Sequence, residues 1–144
     1  MAFGVPGKKI TFFMIGDSTM ADKPLAGNPE RGWGQLFPQY LSDEVEVKNY
    51  AVNGRSTKSF IREGRWDSVM QHLKKDDWVF IQFGHNDSKK EDSNRYAAPQ
   101  TTYRQNLVRF VTEARARGAN PVLITPVMRR KFDADDKFTD QHGE

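Results

Sequence analysis

Four apolar runs, separated by segments of helical spacing, constrain this chain most. KKITFFMI (8–15) and DWVFIQF (77–83) read as buried strands. VEVKNYAV (45–52) alternates apolar with polar residues, the pattern of a half-buried strand, and NPVLIT (120–125) reads as a fourth. Between the first two, GWGQLFPQYL (32–41) places Trp33, Leu36, Phe37, Tyr40 and Leu41 at helical spacing, with Pro38 in its middle. Residues 56–73 predict one or two helices whose inner face carries Phe60, Ile61, Trp66, Val69, Met70 and Leu73. Residues 99–117 predict the longest helix, from Pro99 to Gly118, with Tyr103, Leu107, Phe110, Val111 and Ala114 on one stripe. Strands alternating with helices predict an α/β fold: a parallel, flavodoxin-like sheet in a three-layer α/β/α arrangement.

The chain has 144 residues, which suits one domain over 1–144. Charged residues make up 28% and hydrophobic ones 37%, so a folded rather than disordered chain is expected. The net charge of +3 is spread with no run of five like charges, which argues against a nucleic-acid partner. Cysteine is absent, which excludes disulfides and thiolate metal sites, and no metal ligand set is expected. No apolar run is long enough to span a membrane, and MAFGVPGKK has no segment long enough for a signal peptide.

In open parallel sheets, ligands bind beyond the carboxyl ends of the strands. The first strand is followed there by Gly16-Asp17-Ser18-Thr19, the second by Asn53-Gly54-Arg55-Ser56 and the third by Gly84-His85-Asn86-Asp87. Ser18 offers a hydroxyl that a base can activate. Gly54 lets a ligand approach the backbone and offers an amide N–H, and Asn86 offers a side-chain NH₂. Donors of this kind aimed at one oxygen form an oxyanion hole, the equipment of acyl transfer. Each residue also has a plainer reading. Ser18 suits an N-cap, Asn53-Gly54 a turn, Asn86-Asp87 an Asx turn and His85 a packed histidine. The polar loop at 84–98 is long for a connector, as functional loops are. Arg55, Trp33 and the 88–98 loop are candidates for lining a groove, with Lys89, Lys90, Glu91 and Asp92 read as surface.

GDST, GWG, NYAVNGRS and FGHND, in that order, resemble the motif blocks of the SGNH, or GDSL-like, hydrolases, and most nearly the rhamnogalacturonan acetylesterase branch. The resemblance implies the flavodoxin-like sandwich and Ser18 as nucleophile. It implies an oxyanion hole from the backbone N–H groups of Ser18 and Gly54 and the side chain of Asn86. Asp17 and Asp87 would brace the loops, with His85 in support. It implies removal of acetyl groups from acetylated pectic or other plant polysaccharides or oligosaccharides, with no cofactor and a secreted or periplasmic setting.

The family's late D-x-x-H block is not found. The nearest text, Asp140-Gln141-His142, has one residue between Asp and His. The expectation is therefore a domain that stops before its last strand, its last helix and its catalytic Asp/His pair, inactive or weak on its own. His85 or His142 would be the substitute base if it did turn over. An uncovered sheet edge would favour self-association. Three other readings stay open: a carbohydrate-binding pseudoenzyme, a lipase or thioesterase of the same superfamily, and a flavodoxin-type phosphate site. In the last of these, Asp17 would repel the anion.

Overall fold

The computed structural model describes residues 9–139. Among them, four parallel strands form one sheet in the order β2-β1-β3-β4: β1 (Ile10–Gly16), β2 (Val45–Asn49), β3 (Trp78–Gln82) and β4 (Asn120–Leu123). Phe13 lies opposite Lys48 on one side and Val79 on the other, and Ile81 lies opposite Leu123. The centre of the sheet is thus built from the two most apolar runs. Their alternate side chains go to opposite faces, as the two-residue period of a strand requires.

One face carries Phe13, Ile15, Val79 and Ile81. It is closed by α2 (Thr57–Arg62), α3 (Arg65–His72) and α4 (Arg104–Ala116). Phe60, Trp66, Val69, Leu73, Phe110 and Ala114 come down onto it, all fully or almost fully buried. Each valine, leucine or phenylalanine among them contributes about 1.5–3 kcal/mol by leaving water. The Trp66 indole also donates to Glu113 Oε2 at 2.5 Å, which fixes α3 against α4. Residues 56–73 resolve into two helices, because Gly64 has φ +70 and turns the chain between α2 and α3. The longest helix does open at Pro99, but through a wider turn of π-helical geometry, Pro99–Tyr103, before α4 begins.

The other face is thinner. Met14 packs with Met20, Ala21 and Ala51, and with half-buried Trp33, Phe37, Val47 and Phe80. The helix expected at 32–41 is only α1 (Trp33–Leu36), followed by a 3₁₀ turn, Phe37–Tyr40. Pro38 sits at the start of that turn, where its missing N–H prevents a regular α-helix from continuing. The apolar stripe is consequently split. Trp33 and Phe37 pack edge to face, whereas Leu36 is 41% and Tyr40 78% exposed.

β2 ends at Asn49, earlier than its apolar run. The Asn49 side chain leaves the ladder to donate to Met20 O and Asp22 Oδ1, and its Oδ1 accepts from Ala51 N. β4 occupies one edge of the sheet, with Leu123, Val127 and Met128 exposed beside it. Beyond it, the rings of Phe132 and Phe138 pack at a tilt of 34° with centroids 4.5 Å apart, and the two residues make one antiparallel bridge.

Candidate active site

The loop after β1 is folded by its own acid. Asp17 is 1% exposed. Its Oδ1 accepts from the backbone N–H of Thr19 at 2.9 Å and from Thr19 Oγ1 at 2.8 Å. Its main-chain oxygen accepts from Met20 and Ala21. The result is a tight turn rather than a helix start, since the next helix begins only at Trp33. Ser18 therefore caps no helix. Its residue is partly exposed at the crest of the turn, and its hydroxyl makes no hydrogen bond among the described residues.

Lys23 joins this loop to the next. It is 8% exposed, and its ammonium donates to Ser18 O at 2.6 Å and to the side-chain oxygen of Asn53. Asn53 and Gly54 form a turn in which Gly54 takes φ +75, a conformation that favours glycine. Ser56 then caps α2 through a reciprocal pair: its hydroxyl accepts from Ser59 N, and Ser59 Oγ accepts from Ser56 N.

The third loop is held to the second by Asn86. The residue is buried, and its Nδ2 donates to Arg55 O at 3.0 Å while its Oδ1 accepts from Arg95 Nη1 at 3.3 Å. Asp87 is buried beneath it. Its Oδ1 accepts from Thr57 N at 2.9 Å and Thr57 Oγ1 at 2.5 Å, and Thr57 Oγ1 in turn accepts from Asn106 of α4. Its Oδ2 has no partner among the described residues. Burial pushes the Asp87 carboxyl up to about 7, against the opposing hydrogen bonds from Thr57, and the nearby Asp17 charge adds to the rise. The same burial raises Tyr103 to about 12, helped by Asp87 and Asp17. Its phenol donates to Phe83 O at 2.9 Å.

The loops carrying Ser18, Gly54 and Asn86 are thus tied by Lys23 and Asn86 along one rim, with Asp17 folding its own loop and Asp87 fastening the third loop to the start of α2. His85 turns the other way. Its Nε2 lies 2.6 Å from Val127 O, and its main-chain oxygen accepts from Arg129 at 2.6 Å, which ties it to the segment after β4. Asp140 and His142 lie outside the described residues.

Three groups that matter here escaped the sequence reading. Gln82, 3% exposed at the end of β3, accepts from Thr19 Oγ1 at 3.2 Å and from the Trp33 indole at 2.6 Å, and donates to Thr125 O at 3.0 Å. A lone amide inside DWVFIQF was the available signal, because a buried polar group needs partners. Lys23 and Thr57 carried no comparable signal. Arg55 and the 88–98 loop do line an open groove, which starts at Gly54, is also walled by Arg62, Glu63, Asp92 and Arg95, and holds about 310 Å³. Trp33 does not, since its indole is engaged with Gln82.

A model of the GDSL-like lipase/acylhydrolase family matches residues 14–143. Rhamnogalacturonan acetylesterase RhgT of Bacillus subtilis is 43% identical over 95% of this chain and 57% of its own length. The probable rhamnogalacturonan acetylesterase YesY of the same organism is 41% identical over 84% of this chain and 55% of its own. The chain thus spans little more than half the length of these curated relatives. Among solved structures, YxiM of Bacillus subtilis superposes with a TM-score of 0.77 at 25% identity, over 88% of this chain and 36% of that one.

Proposed function

This chain belongs to the GDSL-like lipase/acylhydrolase family, and from that premise we propose that it carries the nucleophile and oxyanion hole of a serine esterase that removes acetyl groups from rhamnogalacturonan-like pectic polysaccharide. The names of the relatives RhgT and YesY support the substrate class. The observation that carries the mechanism is the pair of clasps, Lys23 to Ser18 O and Asn53, and Asn86 to Arg55 O, which hold the three strand-end loops to one another.

In this reading Ser18 Oγ attacks the acetyl carbonyl carbon. The carbonyl π electrons move onto oxygen, and the resulting oxyanion is taken by the N–H groups of Ser18 and Gly54 and by Asn86 Nδ2, which has a second proton beyond the one given to Arg55. Collapse expels the sugar alkoxide and leaves an acetyl-serine, which water then hydrolyses. Asp17 and Asp87 act through loop geometry, not through proton transfer. The Ser18 proton needs an acceptor, and residues 1–144 contain no D-x-x-H. Turnover by this chain alone is therefore expected to be weak, as it is for a triad reduced to its oxyanion hole and binding groups.

Acetate released from acetylated rhamnogalacturonan, measured with this chain and with Ser18→Ala, tests the assignment. Release abolished by Ser18→Ala supports it, and release indifferent to that change overturns it. The competing reading is a carbohydrate-binding protein that retains the rim. Tight binding of the acetylated polymer with no acetate released above the uncatalysed rate would establish that one instead.

A further inference from the structure

The groove that begins at Gly54 carries more positive charge than a neutral sugar requires. Arg55, Arg62 and Arg95 stand along it against Glu63 and Asp92. Arg55 holds Glu63 at 3.0 Å, and Arg95 holds Asp92 at 2.6 Å. Glu63 is also gripped at 2.6 Å by Arg65, which stands outside the groove. Two carboxylates are therefore matched by four guanidiniums.

The surplus is concentrated at Arg62. It is exposed, its Nη1 donates to Asn94 Oδ1 at 2.9 Å, and it makes no ion pair among the described residues. A guanidinium has five N–H donors in a rigid fork, a geometry that matches a carboxylate.

The groove is also built, and it adjoins the oxyanion donors. Arg62 to Asn94, and Lys58 Nζ to Ser93 O at 2.8 Å, hold the 88–98 loop against α2, so both walls are fixed before any ligand arrives. Arg95 reaches from this groove to Asn86 Oδ1 at 3.3 Å, and the same Nη1 lies 3.9 Å from where a β-carbon on Gly54 would stand. An open trough that begins at one proposed oxyanion donor, Gly54, and is walled by Arg95, which reaches a second, Asn86, suits a neighbouring unit of an extended polymer better than a small isolated ester.

We propose that this groove is a carboxylate-binding subsite, in which Arg62, flanked by Arg55 and Arg95, takes a uronate of an acidic saccharide chain beside the oxyanion donors. The assignment rests on the esterase reading for the choice of a saccharide, and it deepens that reading from the acetyl group to the polymer that bears it.

Calorimetric titration with a short unacetylated oligogalacturonate, and with a neutral xylo-oligosaccharide of the same length, tests it in the full chain, in Ser18→Ala and in Arg62→Gln, with circular dichroism confirming the fold of each. The expected result is that the uronate oligomer binds more tightly than the neutral one, weakens as salt is added, and weakens about five- to tenfold in Arg62→Gln. Arg62→Lys, which keeps the charge and loses the fork, is expected to fall between. Equal binding of the two oligomers, no binding of the uronate, or an Arg62→Gln chain that binds it as the parent does would overturn the subsite. The probe carries no ester, so uronate binding that persists in a chain whose acetate release is indifferent to Ser18→Ala would leave the subsite standing and remove the esterase reading.

Discussion

The ammonium of Lys23 lies 2.6 Å from the main-chain oxygen of Ser18 and donates to it. The same nitrogen holds the side chain of Asn53, the neighbour of Gly54. One nearly buried cation therefore sets the spacing between two of the proposed oxyanion donors. Lys23→Met removes it while keeping the bulk of the stem. The carbonyl of Ser18 and the amide of Asn53 then lose a charge-assisted partner, a loss of roughly 2 kcal/mol. Urea denaturation should show this as a lower midpoint at unchanged slope. If Lys23 positions the site, Ser18-dependent acetate release should fall through kcat more than through KM. A merely structural lysine would lower stability and leave that rate unchanged in folded protein.

Asn86 is expected to matter more for rate than for binding. Its amide is already oriented, by Arg55 O on one side and Arg95 on the other. Asn86→Ala takes away one oxyanion donor, which typically costs about 10²–10³ in rate. The Ser18-dependent part of acetate release should show the drop in kcat. A loss under tenfold would remove Asn86 from the oxyanion hole.

The sheet and its order of elements were legible because its central strands are fully apolar and its long helix has a clean stripe from Tyr103 to Ala114. The failure at 32–41 has a specific physical cause: Pro38 breaks the helix, so spacing alone put Leu36 and Tyr40 on a buried face that does not exist. The rim residues were readable because they follow strand ends. What stayed hidden are the clasps. Lys23, Gln82 and Thr57 act through contacts with residues 5 to 63 positions away in sequence, and only the folded chain brings those atoms together.

The glycines at 32 and 54 should both lose stability on change to alanine, but to different extents and for different reasons. A β-carbon on Gly32 would stand 2.0 Å from Ala21 O and 2.7 Å from Met20 O, all backbone atoms that cannot turn aside. Gly32→Ala must push α1 away from the loop that carries Ser18, and a loss above roughly 2 kcal/mol is expected. A β-carbon on Gly54 meets nothing nearer than Arg95 at 3.9 Å, so the loss is limited to the strain of φ +75, about 1 kcal/mol. Thermal unfolding of the two variants checks the order, and equal midpoints would contradict the packing described at Gly32.

Asp87 gives the fold a pH dependence of unusual sign. Its carboxyl is raised from 3.8 to about 7 in the folded chain. Between those values the unfolded chain has released this proton and the folded chain still holds it, so rising pH favours unfolding. The stabilising contribution is complete below pH 3.8, declines as pH rises towards 7, and is gone above it. The shift corresponds to something on the order of 4 kcal/mol. Glu63 and Asp92, whose carboxyls are lowered chiefly by Arg65 and by Arg95, act in the opposite direction in acid, so the parent curve is a composite. Asp87→Asn isolates the one group. It mimics the protonated acid, and its oxygen can still accept from Thr57. The stability difference between variant and parent should therefore move in favour of the variant from pH 4 to pH 7 and then level off. A difference that stays flat across that range would mean Asp87 is ionised where it lies, with its second oxygen served by a partner such as water.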